Sequence, residues 1–80
     1  MYYVYLLKSE RFDQTYAGIT QNLKSRLAAH NAGQSPHTSK FKPWKLVMYI
    51  AFEQEKAARE FEKYLKTGSG IAFARRHLFK

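Results

Sequence analysis

The stretch TYAGITQNLKSRLAAH, Thr15 to His30, places a phenol (Tyr16), a glycine (Gly18), a guanidinium (Arg26) and an imidazole (His30) within the length of one strand and one helix. An arginine is a planar, permanently charged fork suited to phosphate, and tyrosine and histidine can hold or move protons beside it. Tyr5 adds a second phenol upstream, and Glu62 a carboxylate downstream. Each residue also has a plain structural reading. Tyrosines pack in cores with their hydroxyls at the rim. Arg26 suits a solvated helix face, His30 a helix end where a cation complements the dipole, and Glu62 an i,i+4 pair with Lys66.

These groups can act together only if the chain brings two strands and two helices to one place. Tyr2 to Leu7 is an apolar run of strand length, Lys8 to Gln14 is polar and turn-like, and Thr15 to Thr20 is again rich in β-formers, which predicts a hairpin. Thr20 is placed to cap a helix that carries Leu23 and Leu27 on one face and stops near Gly33. GQSPHTSKFKP, with both prolines, reads as a mobile, basic surface loop. A third strand is expected over Trp44 to Phe52, then a helix from Glu55 to Lys66 with Ala58, Phe61 and Leu65 on one face. TGSG ends it, and Ser69 is placed to cap a last short helix through Ile71, Phe73 and Leu78. The order ββαβαα predicts an α+β fold, a small three-stranded antiparallel sheet flanked by helices.

Strand alternation puts Tyr3, Tyr5 and Leu7 on one face of the first strand and Tyr16 and Gly18 on one face of the second. Gly18 would leave a gap where a backbone or a phosphate can come close. Arg26 and His30, four residues apart, lie one above the other on the following helix, beside the Leu23 and Leu27 stripe and flanking the sheet edge.

Length and composition narrow the choices. A chain of 80 residues makes a single domain spanning 1–80, able to bury roughly 60 % of its unfolded surface. An aromatic share of 16% lets few side chains bury a large area. With no cysteine, neither a disulfide nor a thiolate zinc site holds the fold. No apolar run reaches the roughly 20 residues of a membrane span, and YYVYLLK lacks the features of a leader peptide, so a soluble, cytoplasmic protein is expected. Fourteen Lys and Arg against six acids give a net charge of +8, spread from Lys8 to Lys80, and a field of that sign favours nucleic acid as partner. Asp13 is the sole aspartate, and Glu53, Glu55, Glu60 and Glu62 lie in one segment, which argues against a two-metal carboxylate site.

YVYLL, TYAGIT, NLKSRLAAHN and REFEKYLKTGSG together closely resemble the GIY-YIG nuclease superfamily, in particular its small single-domain bacterial members similar to the nuclease domain of excinuclease C. The first motif falls on Tyr3-Val4-Tyr5 and the second on Tyr16-Ala17-Gly18, with Tyr3 in place of a glycine and Ala17 in place of an isoleucine. Their spacing, the L-x-x-R-L-x-x-H that follows and the later E-x-x-L-K make the combination specific. The resemblance implies a metal-dependent endonuclease that hydrolyses phosphodiester bonds in DNA, in branched, damaged or single-stranded form, with a place in DNA repair or recombination. It carries the motif tyrosines onto Tyr5 and Tyr16, the helix arginine onto Arg26, the metal-binding glutamate onto Glu62, and the histidine found in some branches onto His30. Many members also have an asparagine after the glutamate, and Gly68 to Lys80 contains none.

The chemistry suits these side chains. One carboxylate, Glu62, can hold a Mg²⁺ or Mn²⁺ ion that otherwise keeps its waters, and Arg26 can grip the phosphate. Tyr5 is expected to be the base or water-orienting group with His30 assisting, and Tyr16 to position water or phosphate, with the order of the tyrosines reversible. Gly18, Thr15, Lys24, His37 and Lys40 are candidate nucleic-acid contacts. The alternative is a nucleic-acid-binding module of the same fold with little or no cleavage, and a weaker one is an interaction protein whose tyrosines are only core. A binder has no chemical need for Glu62, which favours the enzyme.

Overall fold

A computed structural model describes residues 1–79; Lys80, the last of the spread of basic residues, lies outside them. Strands β1 (Tyr2–Ser9), β2 (Thr15–Thr20) and β3 (Trp44–Phe52) form one antiparallel sheet in the order β2-β1-β3. Helix α1 (Leu23–Asn31) follows β2, and α2 (Glu55–Leu65) and α3 (Gly68–His77) follow β3, so the ββαβαα order of an α+β fold is realised. No helix among the described residues is long and apolar enough to cross a membrane.

The sheet is covered on both faces, and the alternation of β1 divides the core in two. Val4 and Leu6 pack with Ala58 and Leu65 of α2 and Ala74 of α3, joined by Ala17, Ile19 and Phe61. Tyr5 and Leu7 pack on the other side with Trp44, Tyr16, and Leu23 and Leu27 of α1. Being central and buried on both faces, β1 is apolar throughout Val4 to Leu7 instead of alternating. An irregularity opposite Leu6 and Leu7 shifts the register of β3, so that Leu6 pairs with Met48 and Leu7 with Leu46.

Helix ends depart from the sequence reading in two places. Asn22, not Thr20, caps α1, its side chain accepting from the backbone N–H of Ser25; Thr20 closes β2, and its hydroxyl accepts from the backbone N–H of Asn22. Thr67, not Ser69, caps α3, its hydroxyl accepting from Gly70 N–H and donating to the Tyr64 carbonyl. One threonine thereby closes α2 and opens α3, and Ser69 falls inside the helix. At the end of α1, Gly33 adopts φ 78° while its N–H reaches the His30 carbonyl and that of Gln34 reaches Ala29. That is the paired arrangement of a Schellman motif.

The segment between α1 and β3 is anchored at both ends, contrary to a loop read as mobile from composition. Asn31 grips the start of β3 by accepting from Trp44 N–H at 2.6 Å and donating to the Trp44 carbonyl at 3.0 Å. The Trp44 indole N–H then donates to the Thr38 carbonyl at 2.9 Å, drawing the middle of the loop inward. Thr38 is 1% exposed.

Candidate active site

Tyr5 and Gly18 stand directly opposite each other across β1 and β2. The Tyr5 ring lies across Gly18, so a Cβ at that position would run into the Tyr5 hydroxyl and Cζ and come within 3.0 Å of a ring carbon of Tyr16. The gap expected at Gly18 exists, but Tyr5 fills it. Gly18 is buried and cradles the Tyr5 side chain.

Tyr5, 3% exposed, points its hydroxyl at Nε2 of His30, 2.9 Å away. His30 lies on the inward side of the last turn of α1 and is 2% exposed, with its Nδ1 2.7 Å from the Thr38 hydroxyl. The helix-end cation reading of His30 fails on this burial: the ring is held between two hydroxyls, not turned to water. Burial first, and then the Arg26 guanidinium, hold its pKa below the ordinary 6.5. The Tyr16 ring, half-buried, meets the His30 ring edge-on at 5.1 Å and lies 6.4 Å from that of Tyr5.

Glu62 reaches this group from the other layer. Helix α2 covers the opposite face of the sheet, yet it contacts β2, and Lys66, one turn beyond Glu62, sets its ammonium 5.5 Å from the centre of the Tyr16 ring. Glu62 pairs with that ammonium at 2.7 Å, and its side chain is 16% exposed against 51% for Lys66. Charge couples the two layers at the Tyr5 hydroxyl. Its pKa is pushed up to about 12 by burial first, then by Tyr16 and by the Glu62 carboxylate, while the Arg26 guanidinium opposes the rise. Arg26 itself is exposed and makes no ion pair among the described residues.

Thr15 opens β2 and, with Tyr16, Lys66 and Arg75, lines a cleft of about 250 Å³ between β2 and α3. Lys24 is exposed on α1, and His37 and Lys40 are exposed in the loop before β3. Tyr3, which departs from the first motif, packs edge-on against Tyr49 at 5.7 Å. Sequence reasoning missed Thr38 and Trp44 as supports of His30. Neither carries a periodic signal, and only the hydrogen bonds to His30 and between them reveal the role.

The buried histidine has a measurable consequence. Its folded pKa lies below the 6.5 of an unperturbed imidazole, so its contribution to stability is complete above pH 6.5 and is lost as the pH falls through the folded value. Thermal melts should therefore show Tm falling below pH 6.5 in the wild type, and falling less steeply in His30→Gln. Equal slopes would show that His30 is not held neutral.

The described residues contain no group of three or more His, Cys, Asp or Glu side chains able to hold a metal together. A carboxylate such as Glu62, acting without such a group, would suit a hard, water-keeping divalent ion rather than zinc. The chain matches the family described as GIY-YIG catalytic domain over residues 1–71. A UPF0213 protein of Clostridium perfringens is 40% identical over 67 residues, a stretch covering 82% of this chain and 71% of the relative. A UPF0213 protein of Streptococcus pyogenes serotype M3 is 39% identical over 66 residues, covering 80% and 70%. No solved structure matches the chain. With both motif tyrosines, Arg26, His30 and Glu62 inside the matched region, the chain belongs to the GIY-YIG family of nucleases.

Proposed function

We propose that the protein is a divalent-metal-dependent endonuclease that hydrolyses phosphodiester bonds in DNA, in branched, damaged or single-stranded form, during repair or recombination. The observation that carries this reading is the coupling of the two layers at one hydroxyl: Tyr5 is hydrogen-bonded to His30 and feels the charges of both Arg26 and Glu62. A purely structural tyrosine needs neither charge.

Glu62 is the residue that would hold a Mg²⁺ or Mn²⁺ ion, with Lys66 giving up its place on the carboxylate. Such an ion, when bound, supplies Lewis-acid polarisation of a phosphoryl oxygen. Arg26, exposed and without an acid partner among the described residues, offers its fork to the phosphate as charge grows there. Tyr5, with its pKa pushed up to about 12, keeps its proton at neutral pH. It therefore orients water or donates to an oxygen of the substrate rather than acting as a ready base. Tyr16 is the more accessible phenol and positions water or phosphate.

The binding-module alternative draws support from the Glu62–Lys66 pair, which neutralises the carboxylate within the chain. Incubating the protein with branched, nicked and linear DNA and with RNA, in Mg²⁺, in Mn²⁺ and in chelator, separates the two. Metal-dependent scission of a DNA substrate is expected. Binding without scission under every condition would leave the module. In either case the net charge of +8 predicts that log K for duplex falls linearly with log salt, by about 0.9 per phosphate neutralised. Fluorescence titrations between low and moderate salt measure the slope, and a flat line would remove nucleic acid as the partner.

A further inference from the structure

A hydroxyl has one proton to give, and a neutral imidazole has one N–H. His30 stands between two hydroxyls, Tyr5 on Nε2 at 2.9 Å and Thr38 on Nδ1 at 2.7 Å. Three protons serve two hydrogen bonds, so one is left over, and its position depends on the tautomer. If Tyr5 donates to Nε2, then Nδ1–H faces Thr38 and the surplus proton lies on the Thr38 hydroxyl. If Thr38 donates to Nδ1, then Nε2–H faces Tyr5 and the surplus proton lies on Tyr5.

The surroundings of the two hydroxyls are unequal. Thr38 is 1% exposed, and among the described residues its hydroxyl has no hydrogen-bond partner except His30. A surplus proton there would be buried with nothing to accept it. Tyr5 is itself 3% exposed, but its ring lies beside half-buried Tyr16 and its hydroxyl within the fields of exposed Arg26 and of Glu62, so that a water or a phosphate oxygen held by those groups would be the acceptor. Thr38 is also held still: its carbonyl accepts from the Trp44 indole at 2.9 Å, and its N–H donates to the Ser35 carbonyl at 3.2 Å.

We propose that Thr38 is a positioning residue: by donating to Nδ1 it holds His30 in the Nε2–H tautomer, so that His30 donates to the Tyr5 oxygen and Tyr5 turns its own proton toward the substrate. His30 is then no acceptor for the Tyr5 proton. It steadies the negative charge that grows on the Tyr5 oxygen as that proton is given to a substrate oxygen or shared with water. The groups that face His30 agree with a neutral ring: Tyr5 from β1, the Tyr16 ring from β2, Arg26 from α1 and Thr38 from the loop include no carboxylate. The catalytic part of this proposal rests on the nuclease reading, and the tautomer does not.

The test is ¹⁵N NMR of protein labelled at histidine, at a pH above 7, with the His30 resonances assigned by their loss in His30→Gln. Nδ1 should carry the shift of an unprotonated ring nitrogen and Nε2 that of a protonated one. Thr38→Val, similar in shape but without the donor, should lose this single-tautomer pattern and cut at least about tenfold more slowly, while Thr38→Ser should restore both. The serine variant keeps the test open if the valine protein does not fold. An Nδ1–H pattern in the wild type, or an unchanged pattern in a folded Thr38→Val protein, overturns the proposal. An Nε2–H pattern lost in Thr38→Val and regained in Thr38→Ser, in a wild type that cuts nothing, keeps the tautomer and sinks the nuclease reading alone.

Discussion

Glu62→Gln should lower cleavage at least about a hundredfold while the fold is retained. The substitution keeps the shape of the side chain but removes the charge that a divalent ion needs, and among the described residues no group of three or more His, Cys, Asp or Glu side chains could hold the ion in its place. The structural cost is small. Lys66 loses its partner, but its side chain is 51% exposed and can be solvated by water, so the loss is of the few tenths of a kcal/mol typical of an i,i+4 pair. Binding to DNA should persist or tighten, since a negative charge near the phosphate is gone. Single-turnover cleavage in Mg²⁺ and Mn²⁺, with a thermal melt alongside, reads both effects. Cleavage at the wild-type rate would remove Glu62 from the site and leave it a helix-surface ion pair. Arg26→Ala makes a useful companion, because it should slow cleavage more than it weakens binding if the guanidinium meets charge that develops in the transition state.

The frame that carries this site was legible in the sequence, because it rests on patterns that repeat. The third strand runs from Trp44 to Phe52 as its apolar density implied, and Ala58, Phe61 and Leu65 do line the inward face of α2. The caps were misplaced for a local reason. Thr20 and Asn22 compete for one helix start, and Thr67 and Ser69 for another, and residue type alone cannot tell which oxygen reaches the N–H two or three residues on. The centre of the site was legible only through resemblance. Tyr5 and His30 are 25 residues apart, and their contact depends on how α1 settles on the sheet, a packing result with no period in the sequence. Thr38 was hidden altogether, since a polar loop with two prolines gives no sign that one of its hydroxyls is buried against an imidazole.

The same packing leaves no room for a side chain at Gly18. Gly18→Ala should cost about 1–3 kcal/mol of stability, the range for overpacking a filled site, and should suppress cleavage with it. The added methyl would occupy the space of the Tyr5 hydroxyl and Cζ. The ring has little room to withdraw, because it is packed with Leu7 and Trp44 and its hydroxyl is tied to His30. To accept the methyl it must break that hydrogen bond, and His30 then loses the partner of its Nε2. Arg26→Ala, on the exposed surface of α1, offers a contrast, since it should reduce cleavage with little change in melting temperature. A second substitution identifies the cause. In a Tyr5→Leu background the ring is absent, so adding Gly18→Ala should cost far less than it does in the wild type, with a coupling of about 1–3 kcal/mol between the two positions. Urea unfolding of the four proteins in this cycle measures it. If the glycine instead served the close approach of a phosphate, Gly18→Ala would leave stability nearly unchanged and weaken DNA binding, and the two substitutions would be additive in stability.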